Sequence, residues 1–274
     1  MNVRFLFRCL KARFRDQKFE LKALANHLDS HHLALDIGAN KGSYLLAMSR
    51  AVKSGEVVAF EPQPILADYL REVVRSCRLA NVRIEQVGVS KASGVMDLNV
   101  PGTSETSPSA SLEKSCSSVG QYHSYRVPVT TLDDFLASSL EQVGAIKIDV
   151  EGHEISVLQG AEKIISQHRP LIICESESRH LPSGDVNQSI EYFRRISYGG
   201  YFVHPKRGLL ELESFDPYIH QCLLLNYLHL MKKCDYFFLY GYKESLQDLL
   251  KQYHSHQVVS NLYIVCHSGN GQNP

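Results

Sequence analysis

Three short stretches of the chain concentrate residue types that could do chemistry. Asp36-Ile37-Gly38-Ala39-Asn40-Lys41-Gly42 closes a short apolar run, Leu33 to Ile37, and precedes a segment of helical spacing. Glycines at such a turn allow backbone angles that other residues resist, and let a ligand approach the chain closely. Glu61 ends a second apolar run, Val57 to Phe60, where a carboxylate can accept hydrogen bonds from both hydroxyls of a ribose. Asp149-Val150-Glu151-Gly152-His153-Glu154 places carboxylates and an imidazole together at the end of another strand, with Gly152 permitting a sharp turn.

These residue types discriminate between ligands. A nicotinamide dinucleotide calls for Gly-x-Gly-x-x-Gly, which seats a pyrophosphate on a helix N-terminus. The loop here reads Asp-x-Gly-x-Asn-x-Gly instead. An acidic side chain at the strand end repels a pyrophosphate and attracts an ammonium. S-adenosylmethionine carries a ribose and an ammonium and no phosphate, so it fits the loop and Glu61 better. Methyl transfer to an alcohol requires the oxygen to lose a proton as it attacks. His153 is the base best matched to neutral pH. Glu151 or Glu154 could orient it, and Asp149 completes the candidate catalytic set. The same carboxylates could instead complement a helix N-terminus, with His153 on the surface. A metal bound by Asp149, Glu151 and His153 has no recognised ligand spacing, and no metal is expected. Glu175, after Leu171 to Cys174, is a candidate acceptor-side contact.

The elements that must position these residues alternate. Strand-like runs at 33–37, 57–60, 82–87, 145–150 and 170–175 are separated by helical spacing at 44–51, 65–79 and 154–166. That order predicts a mostly parallel sheet with helices on both faces, buried on both sides. Further strands are expected at 94–100, 125–132, 201–203, 209–212 and 261–266, and helices at 185–196 and 244–253. Asp133 and Asp134 suit the cap of a short helix. Pro101 to Gly120 is rich in small and polar residues and reads as a loop, either a cover over the site or a surface insertion.

At these residues the sequence resembles the FkbM family of S-adenosylmethionine-dependent methyltransferases. The likeness lies in Asp36 to Tyr44, in Phe60-Glu61-Pro62, in Thr131-Leu132-Asp133, and most narrowly in Ile146-Lys147-Ile148-Asp149-Val150-Glu151-Gly152-His153-Glu154. It covers about Leu33 to Glu177. It implies an α/β, Rossmann-like class I methyltransferase fold. It also implies that Asp36, Gly38, Asn40 and Gly42 line the methionine end of S-adenosylmethionine and Glu61 its ribose, with Tyr44 and Gly88 as further cofactor-binding residues. The acceptor it implies is a hydroxyl of a sugar, glycan or related natural product. Two other readings are an NAD-type oxidoreductase and a non-catalytic glycan-binding protein on the same fold.

The 274 residues carry 29 basic and 29 acidic side chains, so charge gives no general reason to expect a nucleic acid partner. The balance fails locally: Arg4, Arg8, Lys11, Arg13, Arg15, Lys18 and Lys22 face only Asp16 and Glu20. Val3, Leu6, Leu10 and Phe14 recur at helical spacing among them. This predicts a basic amphipathic helix capping the main domain through that apolar stripe, with contact to an anionic membrane surface or charged glycan as the second reading. The expected organisation is a basic helical segment over 1–30 and the Rossmann-like domain over 31–274. No apolar run suits a signal peptide or a transmembrane span, and the odd count of seven cysteines suits reduced thiols, so a cytoplasmic location is expected.

Overall fold

The computed structural model describes residues 2–113, 121–176, 186–204, 208–215 and 237–240. The helix expected at 244–253 and the strand expected at 261–266 lie outside the described residues. In chain order the elements begin with α1 (Val3–Lys11), a π-helical turn (Ala12–Asp16) and α2 (Lys18–His27). Next come β1 (Leu33–Ile37), α3 (Leu45–Ala51), β2 (Glu56–Phe60), α4 (Pro64–Cys77), β3 (Val82–Glu85), β4 (Gly88–Val89), β5 (Gly94–Pro101) and β6 (Tyr122–Thr130). Then follow α5 (Leu132–Phe135), β7 (Val143–Ile148), α6 (Glu154–Gln159), α7 (Glu162–His168), β8 (Leu171–Glu175) and α8 (Asn187–Arg195). The last described strands are β9 (Tyr201–His204), β10 (Gly208–Glu211) and β11 (Phe237–Tyr240).

The main sheet runs β10-β9-β11-β8-β7-β1-β2-β3. Strands β3, β2, β1, β7 and β8 pair in parallel, whereas β11 is antiparallel to both β8 and β9, and β10 to β9. This is the mostly parallel sheet with helices on both faces that the alternating elements predict. Alternate residues of each central strand enter different cores. Leu33, Leu35 and Ile37 meet Val58, Phe60, Ile146, Ile148 and Ile172 under α6, α7 and α8. Ala34, Ala59 and Ala145 face the other way, and there α1 to α4 press Phe5, Leu24, Leu45, Met48 and Leu70 against them. Small residues on that face leave room for helices to approach closely.

A second sheet, ordered β4-β6-β5, branches off where the predicted third strand was expected to continue. That strand ends at Glu85, and Gly88 and Val89 instead pair with Val129 and Thr130 of β6. The helix expected over 154–166 breaks at Gly160. A Cβ there would lie 2.1 Å from the Ser90 carbonyl oxygen, so only glycine lets this junction touch the segment after β4. Thr131, rather than Asp133 or Asp134, caps α5 by accepting from the Asp134 amide at 2.8 Å. Asp133 instead accepts from the Lys163 and Ile164 amides at the start of α7. Strand β11 was not predicted, although Phe237-Phe238-Leu239-Tyr240 is a continuous apolar run.

The N-terminal segment departs furthest from expectation. A π-turn interrupts the predicted helix, and of the expected packing stripe only Leu6, partly buried, meets the core. Phe5, Cys9 and Ala12 are buried, while Val3, Leu10 and Phe14 of the expected packing stripe, with Phe7, are exposed. The tertiary contacts select the narrower stripe: Phe5 and Cys9 join the core that holds Leu45 and Met48, and the Cys9 thiol reaches the Gly42 carbonyl at 3.9 Å. Among the described residues, no helix is long and apolar enough to cross a membrane.

This orientation predicts unequal effects from two phenylalanines two positions apart. Phe5→Ala should cost about 3–5 kcal/mol of stability, and Phe7→Ala less than about 0.5 kcal/mol. Urea unfolding of both variants measures the contrast, and equal losses would contradict the orientation.

Candidate active site

In an open parallel sheet, ligands sit at the carboxyl ends of the strands. Here a cavity of about 330 Å³ opens at those ends of β1, β2, β7 and β8. Its floor and walls start with the loop after β1. Gly38, Asn40 and Gly42 all adopt positive φ, at 73°, 48° and 77°. Glycine takes such angles freely and asparagine more readily than most residues. The alternating motif is therefore first a backbone requirement. Gly38 is also confined by space, since a Cβ would lie 1.9 Å from the Asp149 carbonyl oxygen.

The loop is fixed by buried polar groups below it. Asp36 and Lys147 are register partners on adjacent parallel strands and lie on the same face. Their side chains pair at 3.1 Å with almost no exposure. The Lys147 ammonium also donates to the Gly38 carbonyl at 2.7 Å and approaches Asp149 at 3.5 Å. Burial opposes its charge, but Asp36 and then Asp149 outweigh that penalty and hold it above the ordinary lysine range. The Tyr44 ring lies 5.5 Å from the same ammonium, and its hydroxyl donates to Glu20.

Glu61 stands at the end of β2, almost wholly buried, and lines the cavity. One carboxylate oxygen accepts from the Asn40 amide at 2.7 Å and the other from the Gln63 amide at 2.9 Å. Burial raises its pKa to about 7 despite these bonds. From β7 and β8 come Asp149, Glu151 and Glu175, each with a carboxylate oxygen within 4.8 Å of the others. Among the described residues, this is the group whose geometry could hold a metal ion. Glu154 turns inward and braces the connecting loop, accepting from the Gly152 amide at 3.0 Å and the Val150 amide at 3.3 Å. Burial moves its pKa to about 7.

The described part of the long loop covers the cavity. Pro108, Ser109, Ala110 and Leu112 line it. Three anchors hold this cover. The Gln63 side chain binds the Ser107 backbone twice, donating to its carbonyl and accepting from its amide. The Ser111 hydroxyl donates to the Glu151 carbonyl at 2.7 Å. Glu113 meets His153 Nδ1 at 2.7 Å, while His153 Nε2 meets the Ser90 hydroxyl at 2.9 Å. The hydrogen bond to His153 holds Glu113 below the ordinary glutamate range. An ionised Glu113 can only accept, so Nδ1 carries a proton and, in the neutral ring, Nε2 accepts from Ser90.

The candidate residues therefore separate. Gly38, Asn40, Glu61, Gly88, Asp149 and Glu151 come together around the cavity. Asp36, Gly42 and Tyr44 do not line it. The Asp36 carboxylate is neutralised by Lys147, so it does not present a charge to the cavity as the sequence argument supposed. His153 is 3% exposed, with both ring nitrogens engaged away from the cavity. Lys147 entered the sequence argument only as part of a motif, without a role, and Gln63, Ser90 and Glu113 escaped notice. A lysine inside the apolar run Ile146 to Ile148 was the available signal for the first. The others depend on contacts distant in sequence.

Replacing Lys147 with methionine would leave Asp36 buried without its cation, a loss of about 3–5 kcal/mol. The double variant Asp36→Leu/Lys147→Met should recover part of it. Guanidinium unfolding of the two measures this, and a nearly silent Lys147→Met would refute the role of the pair.

Comparison with known proteins identifies the family. Residues 36–204 match the methyltransferase FkbM domain. The methyltransferase sdnD of Sordaria araneosa is 29% identical over 163 residues, covering 50% of this chain and 63% of that protein. The 2-O-methyltransferase NoeI of Sinorhizobium fredii is 26% identical over 163 residues, covering 56% of this chain and 66% of that protein. The match thus spans just under two thirds of each relative's own length. A solved FkbM methyltransferase from Methylobacillus flagellatus KT superposes with a TM-score of 0.45 at 20% identity, covering 64% of this chain and 43% of that one. Strand order, rather than that superposition, carries the fold. The domain match takes in well over half of the chain, and the protein belongs to the FkbM family of S-adenosylmethionine-dependent methyltransferases.

Proposed function

We propose that this chain transfers the methyl group of S-adenosylmethionine to a hydroxyl oxygen of a sugar, glycan or related natural product. The observation that carries this reading is the grouping of the Gly38–Asn40 loop, Glu61 and three carboxylates around one cavity at the strand ends. The residues fit the cofactor. Each Glu61 oxygen has one backbone amide and retains a lone pair for a ribose hydroxyl. Val87, Val89, Leu98 and Leu112 give apolar surface suited to an adenine. Asp149, Glu151 and Glu175 supply negative charge for the methionine ammonium, the task first given to Asp36. When bound, the cofactor supplies an electrophilic methyl on a positively charged sulfur.

The chain's own residues must then bind the acceptor and take its proton. Asp149 and Glu151 are placed for this, because they face the cavity and His153 does not. In this reading Glu151 or Asp149 accepts the hydroxyl proton, and His153 is a positioning residue that fixes the cover through Glu113. The name of NoeI, a 2-O-methyltransferase, supports an oxygen acceptor. An NAD-type activity is disfavoured by the cluster of carboxylates where a pyrophosphate would lie.

Calorimetry with S-adenosylhomocysteine tests the cofactor site, and Glu61→Gln should weaken binding by about tenfold or more. No heat with either form of the cofactor would overturn the proposal. The raised pKa of Glu61 sets a pH dependence. Its carboxylate is protonated below about pH 7 and becomes a full acceptor above it. Affinity should therefore tighten as pH rises through 7, by up to about tenfold per unit on the acidic side, and Glu61→Gln should flatten that profile. In methyl-label transfer to a panel of glycans, Glu151→Gln should weaken cofactor binding by no more than about tenfold, Asp149 and Glu175 still facing the ammonium, and lose roughly a hundredfold or more in turnover.

A further inference from the structure

The N-terminal helix presents a second apolar face that the fold leaves uncovered among the described residues. Val3, Phe7, Leu10 and Phe14 follow one another at i, i+4, i+7 and i+11, the spacing of a single helical stripe. Their exposures are 70%, 70%, 54% and 70%. The opposite face of the same turns is committed to the core through Phe5, Cys9 and Ala12. The helix is therefore held in place by one stripe while it offers another to its surroundings. Scattered surface apolar residues need no explanation, but two large aromatics and two aliphatics in one row on a helix do.

The charges around the stripe identify what it fits. Arg4, Arg8, Lys11 and Arg15 repeat at the same spacing along one flank, and Arg13 lies beyond Phe14, its guanidinium 5.9 Å from that ring. Asp16 is the sole acidic residue of the first 17 positions, and it pairs with Lys11 and Arg15. Arg8 donates to the Lys41 carbonyl and the Tyr69 hydroxyl, tying the flank to the body of the protein. An apolar stripe edged by arginine and lysine matches an anionic bilayer surface, where rings enter the acyl boundary and cations stay among the headgroups. A second copy would bring the same positive flanks together, and three turns of helix offer little area for a stable dimer.

We propose that the face formed by Val3, Phe7 and Leu10 of α1 and Phe14 of the π-helical turn docks the protein on an anionic phospholipid membrane. The docking is peripheral, since the helix lies along the surface and its other face remains in the core. Gln17, just after this segment, lines the cavity, so the docked face and the cavity share one stretch of chain.

The test is sedimentation of the full chain with vesicles of phosphatidylcholine, with and without phosphatidylglycerol. Binding should be about tenfold stronger or more on the anionic vesicles. It should fall as salt rises from about 0.1 M to about 1 M, where the screening length shrinks from about 10 Å to about 3 Å. Phe7→Ser/Phe14→Ser should lose at least about tenfold in binding while its thermal melt and its heat with S-adenosylhomocysteine stay those of the wild type. Absence of binding to anionic vesicles at low salt would overturn the proposal. So would equal binding by the double variant, or a wild-type dimer in sedimentation velocity that the double variant abolishes without any vesicle binding.

Discussion

The buried contact between Asp36 and Lys147 is the constraint on which the cavity depends. It follows from strand pairing alone, since the two residues occupy matching positions on parallel neighbours, near the ends where both strands open into loops. A buried pair of this kind adds little net stability over an apolar replacement, because desolvation offsets most of the attraction. What it adds is position. The lysine reaches past its partner to the Gly38 carbonyl and toward Asp149, so one cation fastens the loop after β1 to the loop after β7. The close passage of Gly38 against the Asp149 backbone is the steric half of that junction. Neither loop could shift by an ångström without straining one contact or the other.

From that junction the rest of the site is set by two-residue periodicity. Odd-numbered positions of β1 enter the core under α6 to α8, and even-numbered ones enter the core under α1 to α4. Asp36 and Lys147 therefore point into the second core, where the Tyr44 ring lies near the lysine ammonium and the Tyr44 hydroxyl donates to Glu20. The carboxylates that reach the cavity come from just beyond β2 and β7 and from the last residue of β8. Sheet geometry thus divides a run of acidic residues into one that anchors and several that face a ligand.

Much of this was legible in the chain, and the exceptions share a cause. Continuous apolar runs and helical spacing gave the parallel sheet, because burial on both faces leaves an unmistakable pattern. The placement of Glu61, Gly38 and Asn40 on the cavity was legible because ligand cavities open at strand ends. The roles of Asp36 and His153 were not, because a residue's type does not say which neighbour claims it. Asp36 is claimed by a strand neighbour more than a hundred positions away, and His153 by Ser90 and Glu113 from two other segments. The first helix failed differently. Two apolar stripes compete there, and spacing identifies both without ranking them. Only tertiary contacts, such as those of Arg8 and Cys9 with the loop after β1, decide that Phe5 and Cys9 go inward.

The distribution of charge also bears on turnover. Glu61, Asp149, Glu151 and Glu175 gather on one cavity, while the Lys147 charge is spent below the loop on Asp36. Under the methyl-transfer reading, that imbalance favours a ligand with two positive centres, the ammonium and the sulfonium. Methyl transfer removes the sulfonium charge and leaves the ammonium. At separations of about 5 Å and an effective dielectric near 20, one lost charge is worth on the order of 3 kcal/mol of attraction per facing carboxylate, before solvent and counter-charges reduce it. The same carboxylates that recruit the methyl donor would therefore hold the spent cofactor less firmly. The cover over them is fastened by neutral contacts at Gln63 and Ser111 and by one ionisable contact at His153. Release would need only the cover to loosen, because the electrostatic hold has already weakened.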